Sequence, residues 1–162
     1  MKAPVILEGK RYQSLLQLLR TAESLWNASR IYFAQWNLSP SQFNVLKLLV
    51  DHGDSCTQIE LSRLLIMHRS NVTGLLDRLE KRGLVQRRDA KSDRRAYNVV
   101  LTATGRRLLR KILPRYHQTA EEVWGKTSPA RARQLAAELE IIAINAERIA
   151  AEKRKPKTKG TE

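Results

Sequence analysis

The chain has 162 residues, 42% of them hydrophobic, which suffices for one compact core and gives no reason to invoke two folds. Thirty Lys and Arg against sixteen Asp and Glu give a formal net charge of +14, a balance that points to a polyanionic partner, either nucleic acid or an acidic membrane surface. No apolar run approaches the length of a spanning helix, residues 1–10 lack the core of a signal peptide, and a lone Cys56 excludes an intrachain disulfide, so a membrane partner is disfavoured and a cytoplasmic location is expected.

Residues 10–36 place Leu15, Leu19, Leu25, Trp26, Phe33 and Trp36 at helical spacing, which predicts a long first helix too apolar to stand alone. Ser39 then offers an N-cap, Pro40 a first-turn residue whose missing N–H costs nothing, and Gln42 the reciprocal half of a capping box, opening a second helix to about Val50. Asp51 to Ser55, with Gly53, breaks the pattern, and Thr57 with Glu60 forms a second capping box for a helix through Leu65. Ile66, Met67 and His68 supply a turn of helix-turn-helix length, with His68 as the next N-cap and as a phosphate contact.

In the helix that follows, Val72, Leu75, Leu76 and Leu79 recur at i, i+3, i+4 and i+7 and predict an inward face. The opposite face carries Arg69, Ser70, Asn71, Thr73, Gly74 and Arg78, polar groups suited to base edges in a major groove, with Gly74 allowing close backbone approach. Gly83 ends the helix after Lys81 and Arg82. Leu84 to Gln86 lead into Arg87 and Arg88, a loop holds Asp89, Lys91, Asp93, Arg94 and Arg95, and residues 97–101 return as a second strand. This hairpin is a wing. Arg87, Arg88 and Lys91 are assigned to phosphates, and Arg94 and Arg95 to a minor groove, with Asp93 accepting from Arg95 and fixing its direction.

Thr102 caps a helix containing Leu108, Leu109, Ile112 and Leu113, in which Pro114 should introduce a kink. Ser128 and Pro129 open a last helix whose Leu135, Leu139, Ile142, Ala146 and Ile149 step by fours and threes, an expected dimer surface together with Leu15 and Leu19 of the first helix. Residues 152–162 read as a frayed basic tail. The expected fold is mainly α with a small β-hairpin wing (α+β). It comprises an N-terminal dimerisation helix (10–36), a winged helix-turn-helix (39–101), C-terminal dimerisation helices (102–151) and the tail.

The segment DRLEKRGLV from Asp77 to Val85, followed by a wing of the form RxxDxxDxRxxxxxLTxxG, resembles the multiple antibiotic resistance regulator (MarR) family. The matching wing positions are Arg87 or Arg88, Asp89, Asp93, Arg95, Leu101, Thr102 and Gly105, with a tip, DAKSD, one residue longer than in many members. The resemblance implies that Arg95 enters the minor groove supported by Asp93, and that a homodimer sets two recognition helices roughly 10 base pairs apart on a pseudo-palindromic operator of double-stranded DNA. It also implies a small aromatic or carboxylate effector in a crevice for which Trp26, Arg30, Phe43 and His117 are candidates, although aromatics at helical spacing read first as core or dimer packing.

The function expected is a sequence-specific transcriptional regulator, a dimeric repressor released by an effector, with a nucleoid-type architectural DNA-binding protein as the alternative. No phosphate-binding glycine loop, nucleophile elbow or HExxH is present, so no catalytic residue and no cofactor are expected. His52, His68 and His117 show no tight ligand spacing and no metal is expected, while Cys56 reads as an inert residue ahead of a redox switch.

Overall fold

A computed structural model describes residues 9–65, 69–90 and 93–154. In chain order the elements are α1 (Lys10–Ala34), α2 (Pro40–Asp51), β1 (Ser55–Thr57), α3 (Gln58–Leu64), α4 (Arg69–Lys81), β2 (Val85–Ala90), β3 (Asp93–Leu101), α5 (Ala103–Trp124) and α6 (Pro129–Arg154).

Local chemistry sets most of these boundaries. Ser39 Oγ accepts from the Gln42 N–H at 3.2 Å, and Gln42 Oε1 accepts from the Ser39 N–H at 2.9 Å, so both halves of the first capping box form. The second forms between Thr57 and Glu60 at 3.2 and 2.8 Å. Gly83, at φ 64, closes α4 in the left-handed region that a glycine enters without a Cβ penalty.

The strands form an antiparallel sheet of order β1-β3-β2, in which β1 pairs with residues 98–100 and sets Cys56 opposite Val99. The hairpin expected from the sequence is therefore part of a larger sheet that also holds the entry to α3. The wing is more extended than expected as well. Asp89 and Ala90 belong to β2, and Asp93, Arg94 and Arg95 belong to β3, with Ala90 paired to Asp93. The loop reading of these residues is corrected because ladder hydrogen bonding carries the hairpin beyond the apolar segment that marks it in the sequence.

The core lies where α1 ends, α2, α3 and α4 cross, and the sheet closes over them. Phe33 stacks on Phe43 at 4.2 Å between ring centroids, and Leu46, Leu49, Leu61, Val72, Leu76 and Leu79 are fully buried beside them. Each such side chain contributes roughly 1.5–3 kcal/mol by leaving water. The sheet adds Val85, Val99 and Leu101, and α5 adds Leu109 and Ile112.

The chain divides into two compact units inside α5, between Ile112 and Leu113. The division falls within the helix and not at its start, because Leu109 and Ile112 are buried with the first unit. The second unit contains Pro114, which lacks the N–H that would bond to the Arg110 carbonyl, and α6, none of whose side chains is buried.

One junction fixes the base of the wing. Thr102 Oγ1 donates to the Gly83 carbonyl at 2.7 Å and accepts from the Gly105 N–H at 3.0 Å, while the Thr102 N–H bonds to the Leu84 carbonyl at 3.1 Å. A Cβ on Gly105 would stand 2.2 Å from the Leu84 carbonyl oxygen. The start of α5 thus lies directly on the turn that leaves α4, an approach open only to glycine.

Candidate nucleic-acid interface

The site is built on α3 and α4. Leu61 and the row Val72, Leu75, Leu76 and Leu79 anchor the two helices in the core, which leaves Asn71, Thr73 and Arg78 exposed and Gly74 partly so on the outer side of α4. A Cβ on Gly74 meets no atom within 4 Å, so folding does not require glycine there. Arg69 and Ser70 form the first turn of α4 by their backbone. His68 and Lys91 lie outside the described residues.

The wing is fastened to α4 by charge. Arg87 Nη2 lies 2.6 Å from Asp77 Oδ1, Nη1 lies 2.9 Å from Glu80 Oε2, and its backbone N–H donates to Glu80 Oε1 at 2.8 Å. Nη2 also donates to the Thr73 carbonyl at 3.3 Å. With its side chain 19% exposed and its guanidinium engaged on two carboxylates, Arg87 is a strut inside the protein and not the free phosphate contact expected. Arg88, one residue on, is exposed and among the described residues meets the Gln86 side chain, at 3.3 and 3.4 Å, as an outward cation of β2. The sequence holds only part of the signal for the strut: Asp77 and Glu80 are i and i+3 on one side of the helix and Arg87 alternates onto the face of Val85, but which face meets α4 is set by the fold.

Three further contacts were not foreseen. Gln58 Nε2 donates to Thr73 Oγ1 at 2.8 Å, joining the two helices of the motif. Arg82 donates to the carbonyls of Trp36 and Asn37, tying the end of α4 to the turn after α1, where Asn37 takes a left-handed conformation at φ 54. Arg106 pairs with Asp54 and fastens α5 to the turn before β1.

Of the expected effector residues, Trp26, Arg30 and Phe43 belong to the first unit and His117 to the second. Phe43 is enclosed in the Phe33 stack at 2% exposure, so it belongs to the core and is corrected as a crevice wall. Trp26 is about half exposed on α1. Arg30 lines a concavity of about 320 Å³ with Ala34, Asn37, Leu38, Ser39, Pro40 and Gln42, without Trp26 or Phe43. His117 is an exposed residue of the second unit.

Cys56 is buried, and its thiol is pushed up to about 11, first by that burial and then by the Glu60 carboxylate 3.5 Å away. A thiol so raised is a poor nucleophile at neutral pH, which agrees with the inert reading. Glu60 is held below the usual carboxylate range by the Thr57 backbone N–H and hydroxyl. Among the described residues no group of three or more His, Cys, Asp and Glu is placed to hold a metal ion, and no helix is long and apolar enough to cross a membrane.

A family model described as MarR family matches residues 38–97, from the turn before α2 into the wing. FarR of Neisseria gonorrhoeae, an HTH-type transcriptional regulator, is 31% identical over 138 residues, covering 83% of this chain and 94% of FarR. The chain belongs to the MarR family. The transcriptional repressor MprA of Escherichia coli is 40% identical over 76 residues, 47% of this chain and 43% of MprA, so that match spans less than half of the repressor. The structure of Bordetella bronchiseptica BpsR, described for regulation of its DNA binding by 6-hydroxynicotinic acid, matches with a TM-score of 0.65 at 25% identity over 78% of this chain and 98% of BpsR. In this member of the MarR family, the segment Asp77 to Val85 is largely architectural. Asp77 and Glu80 hold the wing, Leu79, Leu84 and Val85 fill the core, and Gly83 makes the turn.

Proposed function

We propose that the protein is a dimeric, sequence-specific DNA-binding repressor that leaves its operator when a small aromatic or carboxylate effector binds. The observation that carries the reading is the outer face of α4, polar and exposed at Asn71, Thr73 and Arg78, with a wing braced against the same helix through Arg87. Asn71 and Thr73 read base edges together with Arg69, Ser70, Gly74 and Arg78. Arg94 and Arg95 occupy a minor groove with Asp93 beside them, and Arg88 with His68 and Lys91 contacts phosphates.

The homodimer is supported by two uncovered apolar surfaces. Leu15, Leu19 and Leu25 are exposed on α1, and Leu139, Ile142 and Ile149 on α6, with Ala146 between them and Leu135 only half-buried. A two-fold pair covers such faces and sets two copies of α4 on successive turns of a pseudo-palindromic operator. The effector is supported by the ligand control described for BpsR and by the exposed guanidinium of Arg30, a suitable partner for a carboxylate; Trp26 and His117 remain its other candidates. Repression is supported by the likeness to MprA, and the proposed DNA partner is in keeping with a cytoplasmic location.

Competition between a duplex from the protein's own promoter region and a scrambled duplex, at near-physiological salt, tests the reading. Preference for the promoter by about a thousandfold or more is expected, and equal affinity for both overturns it in favour of architectural binding.

A further inference from the structure

Gln58 is the first residue of α3, and its side chain crosses to the recognition helix to donate to Thr73 Oγ1 at 2.8 Å. The Thr73 carbonyl in turn accepts from Arg87 of the wing at 3.3 Å. Thr73 is therefore the point at which α3, α4 and β2 meet, and it is exposed.

A hydrogen bond between two polar side chains at an exposed position adds little to folding. What it fixes is the place of a long glutamine side chain that otherwise samples many rotamers, so the ordering that binding demands is already done. One amide proton is committed to Thr73. With the N–H anti to its carbonyl given to Thr73, the remaining N–H and the carbonyl oxygen of Gln58 lie along one edge of a planar amide, which makes no other hydrogen bond among the described residues. A neighbouring donor and acceptor in this arrangement match the N7 acceptor and N6 amino donor that an adenine shows in the major groove.

We propose that Gln58 is a further specificity-determining residue, which presents its amide to an adenine next to the base read by Thr73, with Thr73 acting also as its positioning residue. The inference rests on the proposed reading of α4 as the DNA-binding helix and extends the reading surface onto α3.

The test is selection of bound duplexes from a randomised library by the full-length protein, by Gln58→Ala, by Thr73→Val and by the double variant, with thermal unfolding of each. Wild type should select adenine at one position in each half-site, and Gln58→Ala should lose roughly tenfold of that preference while unfolding as wild type does. Thr73→Val should weaken the same adenine preference although Gln58 is intact, and the double variant should lose no more at that position than Gln58→Ala alone. An unchanged preference in Gln58→Ala, or an equal loss for all sequences as a phosphate contact would give, overturns the proposal. A wild-type protein with no preference at any position instead overturns the DNA-recognition reading on which it rests.

Discussion

Gly105 and Gly74 differ in what lies where a side chain would begin. At Gly105 a carbonyl oxygen of Leu84 fills that place, whereas at Gly74 it is open space. Gly105→Ala forces α5 away from the turn after α4 and should cost about 3 kcal/mol, read as a lower urea midpoint. Gly74→Ala meets nothing and gains about 0.8 kcal/mol of helix propensity, so it should unfold later than wild type yet bind operator more weakly, because the methyl holds α4 off the groove. A Gly74→Ala protein with wild-type operator affinity would remove the backbone of α4 from the DNA surface. The neighbours Arg87 and Arg88 separate in the same way. Arg88→Ala should lower the slope of log affinity against log salt by about 1, the signature of one lost phosphate contact. Arg87→Ala should leave the slope unchanged, cost on the order of 1 kcal/mol in stability because Asp77 and Glu80 lose their shared partner, and reduce operator preference by loosening the wing. A reduced slope in Arg87→Ala would return that residue to the phosphates.

The helices announced themselves through their ends. Ser39, Pro40 and Gln42, then Thr57 and Glu60, name two N-termini to the residue, because a capping box is a local arrangement that the rest of the fold need not supply. Gly83 did the same for the end of α4. Strand β1 carried no such mark, since three residues hold no period and its partners, 98–100, lie far along the chain. The extension of β3 back to Asp93 was hidden because charged residues read as loop, and the pairing of Ala90 with Asp93, beyond a register shift, is a backbone arrangement that side-chain type does not announce. The role of Arg87 was hidden for a related reason: side-chain type in a basic hairpin suggests phosphate, while the choice of partner depends on which face of the sheet meets α4. Helix α6 shows more than its seam. Ile141 and Ile144 are exposed alongside Leu139, Ile142 and Ile149, so apolar groups spread well beyond one stripe, a pattern found where a helix is covered from several sides. Leu139→Glu with Ile142→Glu should therefore convert a dimer to a monomer in sedimentation and lower operator affinity steeply, because the second recognition helix is lost. A double variant that stays dimeric would place the interface elsewhere.

For the molecule as a whole, a formal charge of +14 favours attraction to DNA of any sequence, so affinity alone says little about function. What distinguishes a regulator from a general binder is discrimination, which the proposed reading assigns to the groups that α4 holds outward, with Gln58 of α3 beside them, while the other face of α4 is locked into the core. Membership of the MarR family and the exposed face of α4 lead to the same expectation. The most direct measurement is the ratio of Kd values for scrambled and operator duplexes, taken for wild type and for Asn71→Ala at one salt concentration, with thermal unfolding as the control for folding. The ratio should fall by a factor corresponding to about 1 to 3 kcal/mol while the unfolding temperature holds. An Asn71→Ala protein that keeps both the affinity and the preference of wild type would contradict the placement of the reading face on α4.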